Sequence, residues 1–187
     1  AHRGDLLSMP WVQRIIPIYH SFRKIPDFPY IVGSIFFTSD LDTYDIFINE
    51  EDIEKMNSLL PDNAFSGVMT EEGKYWVNAQ FRSGDYNEQV KIRYRGNLGF
   101  HWNSYKKSYS IKFPSDNLFQ GMKKMSLIIP IDRRYISASI NNYRADKMGL
   151  VVPEKYFVRM TLNGADKGIL LASENWSQEW VEKNPIS

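Results

Sequence analysis

The sequence predicts an α+β fold, mainly antiparallel sheet with one central helix, behind a proline- and aromatic-rich arm. Three observations predict it. Apolar and polar residues alternate at period two over several segments between Tyr75 and Phe113, the pattern of strands with one buried face. Short polar or glycine-bearing connections separate those segments, as antiparallel neighbours require. A helical pattern then runs from about Arg133 to Met148, with Asp132 before it and Gly149 and Pro153 after it, a start and stop that suit a single helix.

Residues 1–30 read as an extended arm. They hold four of the nine prolines, Pro10, Pro17, Pro26 and Pro29, interleaved with Trp11, Tyr19, Phe22, Phe28 and Tyr30. Proline at this density forbids a long helix and fixes extended or turn conformations. The aromatic content predicts that the arm packs on its own domain, on a partner, or near lipid headgroups through Arg14, Arg23 and Lys24. Residues 31–187 form the predicted domain. Ile31 to Thr38 reads as a strand, and Asn49 as the N-cap of a short acidic-headed helix that Pro61 stops. The strand block follows: Tyr75 to Arg82, a turn at Ser83-Gly84-Asp85, Val90 to Arg95, a loop over Gly96 to Ser104, Lys107 to Phe113, and Met125 to Ile129. Beyond the central helix, Tyr156 to Leu162 and Gly168 to Ser173 flank an Asn163-Gly164 hairpin. Ser177 caps a last short helix.

Composition excludes several classes. The 187 residues are 43% hydrophobic and 24% charged, ordinary for a globular chain. A net charge of +1 gives no global reason to expect nucleic acid. Cysteine is absent, which removes disulfides, thiolate metal sites and a Cys nucleophile. The three histidines, His2, His20 and His101, are too dispersed for a His-rich metal site. No apolar run approaches the roughly 18 residues of a membrane-spanning helix. No carboxylate pair stands in an aromatic setting that would suit a glycosidase.

Two cation-rich strands carry the candidate chemistry. Lys91, Arg93 and Arg95 share one face of the first. Gly96 and Gly99 in the following loop would let backbone amides approach an anion. Lys106 and Lys107 open the second strand, and Lys107 shares its parity with Tyr109, Ile111 and Phe113. A lysine on a core-directed face must meet an anion or line a cleft, or else reach water from the strand end. A solvated cationic sheet face is the plainer alternative.

The run Ile92-Arg93-Tyr94-Arg95-Gly96-Asn97, then Lys106-Lys107-Ser108-Tyr109, resembles the spore-coat CotH kinase family. So do Leu162-Asn163-Gly164, Gly168-Ile169-Leu170-Leu171 and Glu174. The resemblance covers about residues 31–183 and implies the amino-terminal lobe of an atypical protein kinase-like fold, binding ATP with Mg2+ or Mn2+ and phosphorylating Ser or Thr. It implies Lys107 as the phosphate-contacting lysine with Lys106 as fallback. Arg93, Arg95, Gly96 and Asn97 would shape the phosphate side, with Glu174 as lysine partner or nucleotide-edge contact. It places the metal-binding carboxylates in a second lobe past Ser187, so this chain alone is expected to be inactive. Implied partners are a nucleotide and a protein substrate or assembly partner, the latter through residues 1–30, with membrane association through a segment before Ala1 and a spore-coat, surface or exported location. The alternatives are a pseudokinase or interaction module, or a polyanion- or carbohydrate-binding domain using Trp76, Tyr94, Trp102 and Tyr105 for stacking.

Overall fold

The computed structural model describes residues 41–183 except 63–66, 104 and 135. The arm and the Ile31–Thr38 strand lie outside the described residues. Seven strands run in the order β1 (Thr43–Phe47), β2 (Val77–Ser83), β3 (Tyr86–Tyr94), β4 (Tyr109–Lys112), β5 (Lys124–Ile128), β6 (Lys155–Leu162) and β7 (Ala165–Glu174). Among the described residues the α-helices are α1 (Glu50–Ser58), α2 (Ser137–Lys147) and α3 (Gln178–Lys183).

The strands close into a barrel in the order β1-β2-β3-β4-β5-β7-β6. All neighbours are antiparallel except β1 and β6, which pair in parallel from Thr43 opposite Arg159 to Ile46 opposite Leu162. Closure leaves no free sheet edge. This overturns the expected α+β lobe with a central helix. The helix does form, but it lies outside the barrel and buries none of its residues. Ile136, Ile140 and Tyr143, the stripe expected to face the core, are exposed. The core comes chiefly from the strands, with α1 adding Met56 and the loops Trp102, Phe119 and Met122, so α2 is not needed to fill it.

Inward-facing residues supply that core. Tyr44, Ile46, Phe81, Ile92, Tyr94, Tyr109, Ile111, Met125, Leu127, Val158, Met160 and Leu170 are all at most 2% exposed. At one end Tyr44, Phe81, Tyr86, Phe113 and Phe119 form an aromatic cluster with centroids 5.0–6.0 Å apart, edge-on in every pair but the tilted Phe113–Phe119, a geometry that favours quadrupole complementarity. At the other end α1 seats Met56, and Asn57 accepts a hydrogen bond from the Tyr94 hydroxyl at 2.8 Å.

The local signals behave as their chemistry dictates. Asn49 precedes α1 in extended conformation, although its side chain makes no capping hydrogen bond. Asn163 and Gly164 take positive φ, 50° and 80°, the backbone of a tight hairpin between twisted strands. The Asn163 amide also ties the end of β1, exchanging 2.8 Å hydrogen bonds with the Ile48 backbone. Gly149 ends α2 with φ 76°, and Ser177 Oγ accepts the Trp180 amide at 3.1 Å to start α3. Asp132 does not cap α2. It lies in a 3₁₀ turn over Pro130–Arg133.

Candidate functional site

A cleft of about 1030 Å³ opens on the outside of the barrel. The outer faces of β5 and β7 floor it through Ile128, Leu171 and Ser173. The 3₁₀ turn and α2 wall one side, and Glu174, Asn175 and Trp176 wall the other. Four cations line it, Arg95, Arg133, Arg134 and Lys155, against two carboxylates, Asp132 and Glu174. The excess favours an anionic occupant.

The cations are held at some electrostatic cost. Burial pushes the Arg95 guanidinium below its usual range, and Arg133 and Arg93 add to this while Asp132 opposes it. Burial, then Arg133, pushes the Lys155 ammonium down as well. Lys155 Nζ donates to Asn142 Oδ1 at 3.1 Å, and Asn142 Nδ2 donates to the Pro153 carbonyl at 3.0 Å, fixing α2 against β6. Arg133 Nε pairs with Asp132 Oδ2 at 3.0 Å. An anion between these groups would relieve their mutual repulsion.

Behind the cleft runs a buried polar chain. Asp132 Oδ1 lies 3.5 Å from His101 Nε2, and His101 Nδ1 is 3.0 Å from Ser108 Oγ, which also accepts the Ile129 amide at 3.1 Å. Ser, His and Asp in line suggest a nucleophile, but Ser108 is fully buried and no substrate can reach it. The chain instead ties the 96–102 loop, the entry to β4 and the end of β5 into one unit. Burial holds His101 below the usual histidine range despite Asp132, with Arg95 and Arg133 adding to burial.

The structure distributes the sequence-predicted residues unevenly. Arg95 and Glu174, from strands on either side of β4 and β5, meet in the cleft. Arg93 lies beside Trp76, its guanidinium 4.9 Å from the ring centroid. Gly96, with φ 97°, packs directly beneath the His101 ring. Asn97 is exposed and its carbonyl accepts the Met69 amide. Lys106 is buried near Asp166 and Gly168 of the β6–β7 hairpin, and burial brings its ammonium down to about 8. Lys107 donates to the Trp102 carbonyl and lies 5.4 Å from the Tyr94 centroid.

Register places Ile111, Met125 and Glu174 in one row, and Glu174 is buried. The expected stacking platform does not form. Trp102 and Tyr94 are buried, and cations cover the Trp76 face. Tyr105 is partly exposed, with Lys167 Nζ 3.5 Å from its ring centroid. Sequence reasoning passed over Arg133, Arg134 and Lys155. Each looks like an ordinary surface cation, and only the packing of α2 against β6 brings them together.

Fold and cleft together define a β-barrel domain with a cation-lined depression on its outer wall. A sequence profile described as CotH kinase protein matches residues 92–187, just over half of the 187 residues, and the chain belongs to that family. No curated protein matches the chain.

Proposed function

We propose that the chain binds ATP through the cleft between α2 and the outer face of β5 and β7, in the service of CotH-type phosphoryl transfer to Ser or Thr. The observation that carries this reading is the convergence of Arg95 and Glu174 on one cleft with Arg133 and Lys155. Arg95 and Arg133 offer planar forks for phosphate oxygens, and Lys155 a compact charge. Glu174, at the end of β7, is an acceptor for a nucleotide edge, and the exposed Trp176 gives the rim an aromatic face. A volume of about 1030 Å³ is at the upper end of small-ligand pockets.

The donor set fits a polyphosphate better than a metal cage. Among the described residues no group of three or more His, Cys, Asp or Glu could hold an ion. Mg2+ or Mn2+ would therefore be held by phosphate oxygens with Glu174 or Asp132, which suits an ion that keeps several waters and takes one or two carboxylates. When bound, the ion would neutralise phosphate charge. This chain's residues bind and orient the nucleotide.

The test is thermal melting with and without ATP and Mg2+ or Mn2+. ATP at about 100 times its Kd should add about 2.7 kcal/mol, a rise of roughly 5–10 °C. Arg95→Ala should remove the rise. No rise in the wild type, or an undiminished rise in Arg95→Ala, would refute the assignment.

A further inference from the structure

Outside the cleft, the outer face of β3, β4 and β5 carries a second concentration of cations. Register sets Lys91 opposite Lys112 and Lys112 opposite Lys124. Three ammonium-bearing residues thus occupy one row on adjacent strands about 4.8 Å apart. Like charges directly opposite one another weaken a sheet. None of the ion pairs among the described residues engages any of the three. Burial first, then Arg93, Lys112 and Arg95, pushes the Lys124 ammonium below its usual range. Arg93 Nε is buried without a hydrogen-bond partner among the described residues.

Trp76 organises this cluster. Its ring centroid is 4.4 Å from Lys112 Nζ, 4.9 Å from Arg93 Cζ and 5.8 Å from Lys124 Nζ. Cation–π attraction holds the charges together, and the same contacts deny the indole face to a nucleobase or sugar. Alongside lies a depression of about 510 Å³ whose lining includes the three lysines with Lys123, Phe113 and Pro114. Cations beside apolar surface suit a ligand that carries both carboxylates and apolar atoms.

We propose that the Lys91–Lys112–Lys124 row is a docking surface for an acidic segment of a polypeptide. An extended peptide presents every second side chain on one face, about 6.6–6.8 Å apart, so alternate Glu or Asp residues can each reach an ammonium of the row while the side chains between them meet Phe113 and Pro114. Nucleic acid fits less well, because the indole is covered and the chain's net charge is only +1.

The test uses the full chain and a labelled peptide of alternating Glu and Ala, followed by fluorescence anisotropy at two salt concentrations. The wild type should bind, more weakly at high salt. The combined variant Lys91→Gln, Lys112→Gln, Lys124→Gln should bind about tenfold or more weakly, from a factor of a few per exposed ion pair. Lys147→Gln, on α2, should bind as the wild type does. Lys91→Glu alone should also weaken binding while keeping the fold, since its carboxylate would face Lys112 across the ladder. Three results would overturn the proposal: unchanged binding in the combined variant, tighter binding of an oligodeoxynucleotide of equal charge, or displacement of the peptide by ATP. Failure of ATP to stabilise the protein would count against the nucleotide reading and leave this one standing.

Discussion

Replacing Gly96 by alanine tests whether the loop between β3 and β4 is built around His101. Gly96 has φ 97°, and a Cβ there would come within 2.2 Å of His101 Cγ and Cδ2. Forcing an L-residue into that backbone region costs about 1–2 kcal/mol. The ring must also move. Moving it disturbs a close-packed site at about 1–3 kcal/mol and loosens the 3.0 Å contact between His101 Nδ1 and Ser108 Oγ, worth about 1 kcal/mol. A total near 3–6 kcal/mol corresponds to a fall in Tm of roughly 6–24 °C. Gly84 supplies the control, because its φ is 56° and nothing lies within 4 Å of an added Cβ. Gly84→Ala should therefore cost only the backbone part. Urea or thermal unfolding of both variants, with His101→Ala added to Gly96→Ala to remove the clash, would measure the difference. If Gly96→Ala is no worse than Gly84→Ala, the steric account is refuted. If it folds normally yet loses ATP-dependent stabilisation, Gly96 instead matters for access of backbone amides to an anion.

Two pH dependences follow from the buried bases. His101 is held below its usual range, so the folded state favours the neutral ring. Its contribution is intact above about pH 6.5 and is lost as pH falls towards the lower folded value; His101→Asn should flatten that loss in urea midpoints measured from pH 7.5 to 5. Lys106 has a folded value of about 8 against 10.5 unfolded, so the unfolded state binds more protons between them and stability rises with pH across that window, by up to about 3 kcal/mol. Subtracting the same series for Lys106→Met isolates the term, and a flat difference between pH 7.5 and 10 would contradict it.

Much of the barrel was legible because β2, β3, β5, β6 and β7 carry clear alternation or apolar runs, and the turn residues at Gly84, Asn163-Gly164 and Gly149 have a conformational need only a few residue types meet. Two things were not legible. β1 is five residues long with Asp45 at its centre, too short to stand out, and its parallel pairing with β6 joins residues more than a hundred positions apart. That one pairing turns an open sheet into a barrel. Once the barrel closes, its inward side chains complete the core, and α2 has no interior to enter. Its apolar stripe predicted burial from periodicity alone, which carries no information about where the core is already full.

The site was half legible for a related reason. Lys107 precedes β4, which begins at Tyr109, yet its ammonium lies 5.4 Å from the ring of the inward-facing Tyr94, on the side that alternation with Tyr109 and Ile111 indicates. From Tyr109 to Ile111 both faces of β4 are buried, Ser110 as deeply as its neighbours, and only Lys112 emerges. The segment after β7 covers the outer side, with Asn175 accepting from Ser126 Oγ at 2.7 Å and its amide donating to the Lys124 carbonyl. A strand buried on both sides gives no parity signal for function. Arg95 is different. It continues the outer face of β3, where Lys91 and Arg93 establish the alternation, and the register of β5 and β7 carries that face round to the cleft. The cationic face of β3 thus serves two places at once. Arg95 turns towards α2 and the cleft, while Lys91 and Arg93 turn towards Trp76 and the lysine row. Exchanging the charge of Arg95 and of Lys91 separately should divide the two activities, nucleotide binding following Arg95 and acidic-peptide binding following Lys91. A single loss of both in either variant would mean that the face is one continuous anion site.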